Sequence, residues 1–204
     1  TNATPDEIIA LFPHTFYENT FGTVGIVSDE TEDETLKTIE VTPYRLESEY
    51  SDNRRPDTVI FSPNLTDDLK RRDFTINALA YSISKGQLVD VFNGQADIST
   101  QTIRTVGNAP ERLTEDALRI MRAVRFHVEL GFIISRETDQ AILEHGHLLE
   151  KISKERIRDE FTKILMSSRP MDGLLMLKKM NLLQYIVPEL EKTIGVEQNR
   201  AHSY

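Results

Sequence analysis

The spacing of hydrophobic residues changes near the middle of the chain. Up to about residue 107, short apolar runs rich in β-branched residues predict strands with a few helices between them. From Pro110 onward, apolar residues recur with the period of an amphipathic helix. We therefore expect an α/β part followed by an all-helical part, with the boundary near Asn108.

The first third of the chain is predicted to hold one helix, three strands and a loop. Thr4 and Pro5, followed by two acidic residues, are typical of a helix start. The polar, turn-prone stretch at 46–57 predicts a loop. Strands are expected on the β-branched runs at residues 23–27, 37–44 and 58–61.

Two further predictions complete the α/β part. Residues 65–82 are predicted to form one helix, because their apolar positions follow helical spacing. Residues 88–92 and 102–106 are predicted to pair as strands, with Asn93 and Gly94 between them as turn residues.

The helical part is predicted to be interrupted three times before it ends near residue 185. Breaks are expected near Gly131, Gly146 and Pro170, because glycine and proline commonly end or begin helices. Ser135 and Ser153 lie where helix N-caps are expected. Several helices separated by short connections are therefore expected.

Composition narrows the protein class but does not identify a function. Hydrophobic residues make up 39% and charged residues 28%, as in ordinary folded proteins, and no apolar run is long enough to span a bilayer. The chain has no cysteine, so it has no disulfide or thiolate metal site, and a reducing cytoplasmic location fits. Its net charge of −9 argues against nucleic acid as a partner, yet basic residues cluster locally.

The charged and amide side chains of the predicted helix at 65–82 suggest a nucleotide site. Asp73 and Asn77 are four residues apart and would share one helix face beside Arg72. Arginine can hold phosphate oxygens, and Asp and Asn can bind sugar hydroxyls. By spacing alone, an ordinary surface Arg–Asp pair explains the same residues.

A second pattern suggests recognition of a base. Asp116 and Arg119 are three residues apart and would be neighbours on a helix. A carboxylate accepts from the amino group of cytosine or adenine, and a guanidinium donates to the adjacent ring nitrogen, whereas uracil and guanine present the opposite order. Each contact is expected to discriminate by roughly 1–3 kcal/mol. An ordinary surface ion pair remains the alternative.

The same helix is predicted to have an apolar side and an arginine side. Arg119, Arg122 and Arg125 follow one another without an intervening acid, which suits a triphosphate or an RNA end. A solvated charged face would show the same periodicity. The residues expected to dock against the protein are Ala117, Ile120, Met121, Val124 and Val128.

The string Arg-Arg-Asp-Phe-Thr-Ile-Asn-Ala at 71–78 resembles the RRDFTxNAxA motif of class II tRNA nucleotidyltransferases (CCA-adding enzymes) and bacterial poly(A) polymerases. Residues 1–5 resemble the segment just after the catalytic strand of that family. Further blocks resemble the family's conserved segments in the same order, and they lie at residues 39–45, 50–57, 88–94, 115–119 and 153–157.

The resemblance implies an α+β fold in which a polymerase-beta-like nucleotidyltransferase palm precedes an all-helical neck and body. The palm is expected at 1–108, the neck at 109–167 and the start of the body at 168–204. The family's strands that carry the main metal ligands are expected to be missing from the palm.

The activity implied is template-independent addition of C, C and A to the 3′ end of tRNA from CTP and ATP, with the protein reading the incoming base. CC-adding or A-adding enzymes, poly(A) polymerases and a non-catalytic nucleotide- or RNA-binding fragment remain alternatives. Block 153–157 looks more like the CCA-adding side of the family, and the intact loop at 46–57 favours full CCA addition or A addition.

The resemblance also assigns site residues. Arg72, Asp73 and Asn77 are expected to hold the ribose triphosphate, and Asp116 and Arg119 to read the base, with Arg122 and Arg125 contacting the nucleotide. Two Mg²⁺ ions are expected in the complete enzyme, held mainly by an Asp-x-Asp pair upstream of Thr1, so no principal metal ligand is expected within the chain. The flexible-loop residues expected to act are Arg54, Arg55 and Asp57.

Glu40 is the one candidate catalytic residue within the chain. It lies on the predicted strand at 37–44, which resembles the second active-site strand of the family. It is a possible third carboxylate for the metal ions, and a strand-face glutamate paired to a Lys or Arg is an equally good explanation.

Overall fold

A capped helix and a three-stranded antiparallel sheet come first in the computed structural model, which describes residues 1–17, 22–28, 31–47 and 59–196. Helix α1 (Pro5–Leu11) begins as predicted, because Thr4 Oγ1 accepts from the Glu7 amide and Glu7 accepts from the Thr4 amide. The three strands lie side by side in the order in which they occur along the chain. They are β1 (Thr15–Tyr17), β2 (Val24–Val27) and β3 (Thr38–Val41).

The prediction for residues 23–27 is confirmed by β2, but the strand predicted at 37–44 is shorter than expected. β3 ends at Val41, two residues before Pro43. Proline has no backbone N–H and so cannot donate to a sheet, which accounts for the early end.

The loop predicted at 46–57 begins as a strand. β4 (Arg45–Glu47) pairs antiparallel with β5 (Val59–Phe61), and this pairing also confirms the strand predicted at 58–61. The rest of the predicted loop, residues 48–57, lies outside the described residues, as does Thr58 of the predicted strand.

The single helix predicted at 65–82 is wrong. Helix α2 (Leu65–Lys70) ends after six residues, a 3-10 turn follows at Thr75–Asn77, and β6 (Leu79–Ser82) ends the segment.

Hydrogen bonds to distant residues replace the expected helical bonds of this segment. The Thr75 amide donates to the Arg104 carbonyl at 2.9 Å, and the Val106 amide donates to the Asp73 carbonyl at 3.0 Å. Phe74 is fully buried between these bonds. Burial of Phe74 and pairing with a distant segment therefore override the local helical pattern.

The predicted pairing of 88–92 with 102–106 is also wrong. β7 (Gln87–Asp90) pairs antiparallel with β6, and helix α3 (Gly94–Ser99) follows. β8 (Thr102–Ile103) pairs in parallel with β9 (Ile133–Ile134), beyond the boundary predicted near Asn108.

The Asn-Gly pair starts a helix in this protein instead of making a hairpin turn. Asn93 adopts a left-handed conformation with φ of 60°, as a turn residue would. The Asp90 carboxylate then accepts from the Gly94 and Gln95 amides at 2.8 and 3.0 Å and satisfies the helix start. A carboxylate at the end of the preceding strand thus decides between the two outcomes.

The second part of the chain is mainly helical in the residues that the structure describes, and strand β9 departs from the predicted all-helical pattern. A 3-10 segment at Gly146–Lys151 separates the helices at 136–145 and 154–165. In the α/β part, a shorter 3-10 segment at Glu34–Leu36 precedes β3. The helices are α4 (Ala109–Glu115), α5 (Leu118–Leu130), α6 (Arg136–His145), α7 (Lys154–Leu165), α8 (Pro170–Lys179), α9 (Leu183–Ile186) and α10 (Pro188–Glu191).

The expected breaks and caps of this part are confirmed. Gly131 ends α5 in a left-handed conformation with φ of 76°, and α8 begins at Pro170. Helix α6 ends just before Gly146, and Ser135 Oγ accepts from the Thr138 amide at its start. Ser153 holds the N-cap position of α7 without a side-chain hydrogen bond.

The main hydrophobic core joins the α/β part to the helices. Phe74 and Ile103 belong to the same buried cluster as the apolar stripe of α5, and Phe74 meets Phe126 edge-on at 5.7 Å between ring centroids. A separate small cluster joins α1 to β2 through Ile8, Val24 and Ile26. Among the described residues, no helix is long and apolar enough to cross a membrane.

Candidate nucleotide-binding site

Asp68 holds the two arginines that follow helix α2. Its Oδ1 accepts from Arg71 Nε at 3.0 Å and Nη2 at 2.6 Å, and its Oδ2 accepts from Arg72 Nη2 at 2.9 Å. Burial would by itself raise the pKa of the Asp68 carboxyl, but the hydrogen bonds and charges of Arg71 and Arg72 outweigh burial and lower that pKa. Asp68 is therefore ionised at neutral pH.

Asp73 connects the same segment to helix α5. Its Oδ1 accepts from the Phe74 amide at 2.8 Å and from Asn77 Nδ2 at 3.1 Å, and its Oδ2 accepts from Arg122 Nε at 2.7 Å. The expectation that Asp73 and Asn77 share a face of one α-helix is wrong, because the chain turns there. The 3-10 turn nevertheless brings the two side chains into contact.

Asp116 does not lie on one helix with Arg119, which corrects the second expected pair. It sits between α4 and α5 in an extended conformation, with φ of −142° and ψ of 102°. Its Oδ1 accepts from the Leu118 amide at 3.1 Å, and its Oδ2 accepts from Arg156 Nη2 at 2.8 Å. Arg156 on α7, and not Arg119, is therefore the ion-pair partner of Asp116.

Arg119 is buried, with 7% of the residue exposed, although a surface role was expected. Its Nη1 donates to the Arg112 carbonyl at 2.8 Å and to Glu115 at 2.7 Å, and its Nη2 donates to the Arg71 carbonyl at 3.1 Å. A guanidinium has more N–H donors than these three bonds use, so Arg119 retains donors for a further acceptor.

The remaining two arginines of α5 differ in exposure. The Arg122 side chain is 32% exposed and pairs with Asp73, whereas the Arg125 side chain is 12% exposed. Arg125 lies over the Phe126 ring, 4.6 Å from its centroid, and 3.2 Å from Glu160. Of the predicted arginine face, Arg122 is thus the most exposed member.

The predicted apolar side of α5 is confirmed. Its five residues have no exposed surface and form part of the main core, and they are Ala117, Ile120, Met121, Val124 and Val128. Docking of this side fixes the position of α5 beside the segment that carries Arg71 to Asn77.

Sequence reasoning missed four residues that organise the site. Arg156 belongs to a block that was recognised, but a periodic pattern carries no signal that joins it to Asp116, forty residues away. Glu115 lies in a recognised block as well, and Asp68 and Glu160 stand in helices where acidic residues are ordinary. The last two are identified by their burial, since only 5% of Asp68 and 4% of Glu160 is exposed.

Glu40 lies on the face of the sheet that α1 leaves uncovered. In the register, Glu40 is opposite Gly25, whereas Val24 and Ile26 point to the other face, where they pack with Ile8. Glu40 is exposed. Its carboxylate is therefore available to a ligand on the open face.

The described ranges contain no group of three or more His, Cys, Asp or Glu side chains placed to hold a metal ion. Glu40 alone does not provide such a site, and the described residues do not fit a two-metal centre by themselves. The expected loop residues Arg54, Arg55 and Asp57 lie outside the described residues.

The geometry brings the two predicted nucleotide segments together. The Arg71–Asn77 segment offers cationic and amide donors, and α5 with the turn before it offers a carboxylate and further guanidinium groups. Because Arg119 bonds to the Arg71 carbonyl and Arg122 bonds to Asp73, the two segments are held in direct contact.

Two family models match the chain. The model described as Poly A polymerase head domain matches residues 1–104. A second model, described as probable RNA and SrmB-binding site of polymerase A, matches residues 131–194. The first covers the α/β part and the second covers helices after α5.

Curated relatives share close to half of the sequence positions. The CCA-adding enzyme of Lactococcus lactis subsp. lactis (strain IL1403) is 46% identical over 192 residues, which are 94% of this chain and 47% of that protein. The CCA-adding enzyme of Bacillus cereus (strain Q1) is 43% identical over 208 residues, covering 100% of this chain and 51% of that protein. The chain thus spans about half the length of these relatives.

Solved structures share the fold. The Bacillus stearothermophilus CCA-adding enzyme in complex with CTP matches 91% of this chain and 43% of its own, with 39% identity and a TM-score of 0.79. A tRNA nucleotidyltransferase complexed with a primer tRNA and an incoming ATP analog matches 91% of this chain and 48% of its own, with 28% identity and a TM-score of 0.67.

Proposed function

The chain belongs to the Poly A polymerase head domain family, and from that premise we propose that it binds and selects the incoming nucleotide in a CCA-adding enzyme. The whole protein would add C, C and A to the 3′ end of tRNA from CTP and ATP. Relatives that carry this name match over nearly the whole chain, which favours CCA addition over poly(A) synthesis.

The observation that supports the proposal most directly is the contact between the two predicted nucleotide segments. The Arg119 side chain donates to the Arg71 carbonyl, and Arg122 donates to Asp73. A base-reading helix and a sugar-phosphate segment must be adjacent to hold one nucleotide. These two contacts provide that adjacency.

We assign the triphosphate to Arg72 and the ribose to Asn77, with Asp73 between them. Arg72 is exposed and cationic, as a phosphate ligand must be. Asn77 is exposed and has both donor and acceptor atoms for a sugar hydroxyl. Asp73 is buried and already accepts three bonds, so its part is to fix Asn77 and Arg122.

We assign base selection to Asp116 and Arg119. Asp116 accepts two bonds in the structure and retains lone pairs for an amino group, and Arg119 retains N–H donors for a ring nitrogen. Cytosine and adenine satisfy both groups, whereas uracil and guanine present a carbonyl to the carboxylate and an N–H to the guanidinium. Arg122 and Arg125 are proposed to contact the same nucleotide.

The chemistry of nucleotidyl transfer also calls for a metal cofactor. Such reactions commonly use two Mg²⁺ ions, which activate the 3′-hydroxyl and neutralise the leaving pyrophosphate. Mg²⁺ is therefore our proposed cofactor of the whole enzyme. Of the carboxylates in this chain, we assign only Glu40 as a ligand of the Mg²⁺ ions.

The remaining assignments rest on the family and stay proposals. We propose a palm at 1–108, a neck at 109–167 and the start of the body at 168–204, with Arg54, Arg55 and Asp57 in a loop that acts during A addition. We also propose that the enzyme works in the cytoplasm. Its proposed partner is the 3′ end of tRNA.

The activity is tested with the full-length protein. It is incubated with tRNA that ends at the discriminator base or at CC, and with each labelled nucleoside triphosphate separately. CCA addition predicts two C residues on the first tRNA and one A on the second. A long tail made from ATP alone would instead identify a poly(A) polymerase.

Base selection is tested with Arg119→Ala, using Arg136→Ala as a control because Arg136 is an exposed arginine on α6 to which no nucleotide contact is assigned. Loss of the ring-nitrogen contact should reduce the preference for C and A over U and G by about tenfold or more. The measurement is kcat/KM for each triphosphate. Unchanged selectivity would show that Arg119 does not read the base.

A further inference from the structure

Asp68 is a buried acid on the short helix α2. Its side chain is 7% exposed, and both of its oxygens accept from arginines, Oδ1 from Arg71 and Oδ2 from Arg72. The adjacent Asp67 is only partly buried and bonds instead to Ser62 and Asn64. Helix α2 therefore uses Asp68, and not its neighbour, to hold the Arg71-Arg72 pair.

The two arginines are held in different ways. Arg71 is 13% exposed and directs two nitrogens at Asp68, whereas Arg72 is 44% exposed and gives it one nitrogen. Within the described part of the chain, the other N–H groups of Arg72 have no acceptor. The pairing fixes one edge of the Arg72 guanidinium and leaves its other donors for a ligand.

The backbone of the pair is fixed as well. The Arg71 carbonyl accepts from Arg119 Nη2 at 3.1 Å, so the segment is bonded to helix α5 next to Arg72. With its backbone and one edge of its guanidinium both fixed, Arg72 loses little further freedom when it binds phosphate.

We propose that Asp68 is a positioning residue that orients Arg72 toward the triphosphate of the incoming nucleotide. The inference rests on the proposed function, because it takes Arg72 as a phosphate ligand. Asp68 does not touch the nucleotide and acts through the Arg72 guanidinium.

Charge and positioning predict opposite effects when Asp68 is neutralised. Removal of a negative charge near a triphosphate strengthens anion binding if Coulomb interactions alone decide. Loss of the anchor for Arg72 weakens triphosphate binding, because the guanidinium must then be ordered by the ligand. The sign of the change therefore separates the two explanations.

The experiment measures binding of CTP, CMP and inorganic tripolyphosphate by calorimetry for the full-length protein and for its Asp68→Asn variant. We expect the variant to bind CTP and tripolyphosphate about tenfold more weakly, as when the hydrogen-bond partner of a ligand-binding side chain is removed. Binding of CMP should change less. The control Asp67→Asn removes the same charge one residue away and should bind all three as the wild type or slightly better.

A double variant shows whether Asp68 acts through Arg72. In the Arg72→Ala background, Asp68→Asn should cause no further loss of tripolyphosphate affinity. An additive loss, or unchanged or stronger binding by the single Asp68→Asn variant, would overturn the proposal. Failure of the full-length wild type to bind CTP or ATP would instead contradict the proposed function.

A second variant covers the case in which Asp68→Asn does not fold. Arg72→Lys retains the positive charge but has no second edge to bond Asp68 and a phosphate together. We expect its affinity for tripolyphosphate to fall about tenfold. An affinity equal to that of the wild type would show that orientation of Arg72 by Asp68 is unimportant.

Discussion

At the scale of single residues, two buried carboxylates position the arginines of the candidate site. Asp68 accepts from Arg71 and Arg72, and Asp73 accepts from Arg122 and Asn77. A buried carboxylate is stable only if it is paired and hydrogen-bonded, so each acid and its arginines depend on one another. Substitution of either acid therefore affects both stability and the arrangement of the site.

The Asp68 carboxylate is predicted to stabilise the fold in a pH-dependent way. Asp68→Asn should lower the free energy of unfolding at pH 7 by about 3 kcal/mol, because Arg71 loses its buried counter-charge. The folded-state pKa of Asp68 lies below its unfolded value of about 4, so this stability is present above that value and is lost as pH falls through the folded-state pKa.

Urea unfolding of the wild type and Asp68→Asn between about pH 7 and pH 2 measures the difference. It should be constant down to about pH 5 and shrink below about pH 4. Asp67→Asn is the matched control and should show a smaller difference at neutral pH. A difference for Asp68→Asn that does not change with pH would contradict the prediction.

Gly94 is predicted to be irreplaceable at the start of α3. A Cβ at this position would lie 2.3 Å from the Thr75 carbonyl oxygen, which is backbone and cannot move aside. We expect Gly94→Ala to lower the free energy of unfolding by about 3 kcal/mol, within the range for overpacking. Urea unfolding measures it.

Gly86 provides a contrast for this substitution. It has φ of 60°, but a Cβ there would meet only the Tyr81 hydroxyl at 3.9 Å. Gly86→Ala should therefore cost only about 1 kcal/mol, which is the strain of a left-handed alanine. Equal losses for the two variants would show that contact with Thr75 does not decide the outcome.

At the scale of elements, helix α5 holds the segments of the candidate site together. Its apolar side packs into the core, its N-terminal half bonds to the Arg71–Asp73 segment, and α7 pairs with the turn before it. Its C-terminal end is held by Arg169, which donates to the His127 carbonyl at 2.7 Å and to the Val128 carbonyl at 3.2 Å.

Arg169, the residue just before α8, is predicted to cap the C-terminal end of α5. Removal of the side chain in Arg169→Ala leaves last-turn carbonyls without these donors and should lower the free energy of unfolding by about 1–2 kcal/mol. The side chain is 39% exposed, so water compensates in part. Arg158→Ala, an exposed arginine on α7, is the control and should change stability by less than about 0.5 kcal/mol.

Urea unfolding with a constant m-value measures this effect. Hydrogen exchange should also rise at the C-terminal turn of α5 in Arg169→Ala and remain unchanged in Arg158→Ala. Equal stability of the two variants would show that the bonds to His127 and Val128 contribute nothing.

At the scale of the whole molecule, the described residues form a large core and a small one. The large core spans the predicted boundary near Asn108, because Phe74 and Ile103 pack with the helices. The small core at α1 and β2 consists of three buried residues, Ile8, Val24 and Ile26. Since buried apolar contacts set local stability, the two regions should open independently.

Hydrogen exchange is predicted to be faster in β2 than in α5. Ile8→Ala should raise exchange in α1 and β2 and leave α5 protected, because it removes packing from the small core alone. Ile120→Ala removes a fully buried side chain from the large core, should cost about 3 kcal/mol, and should raise exchange in α5 while leaving exchange in β2 unchanged. Identical protection of β2 and α5 would contradict two separately opening regions.

The sequence by itself determined the features that depend on neighbouring residues. The start of α1 at Thr4, the end of α5 at Gly131 and the apolar side of α5 were predictable, because capping and helical periodicity act within a few residues. The Arg71–Ala78 string also identified the family, since it is contiguous along the chain.

The tertiary structure decided the features that depend on distant residues. Helix α2 ends early because Phe74 is buried and Thr75 bonds to Arg104, and Asp116 pairs with Arg156 instead of Arg119. Burial of Asp68 was equally invisible in the pattern of the chain. Each depends on how segments far apart in sequence pack together, and local periodicity carries no information about which distant partner a side chain meets.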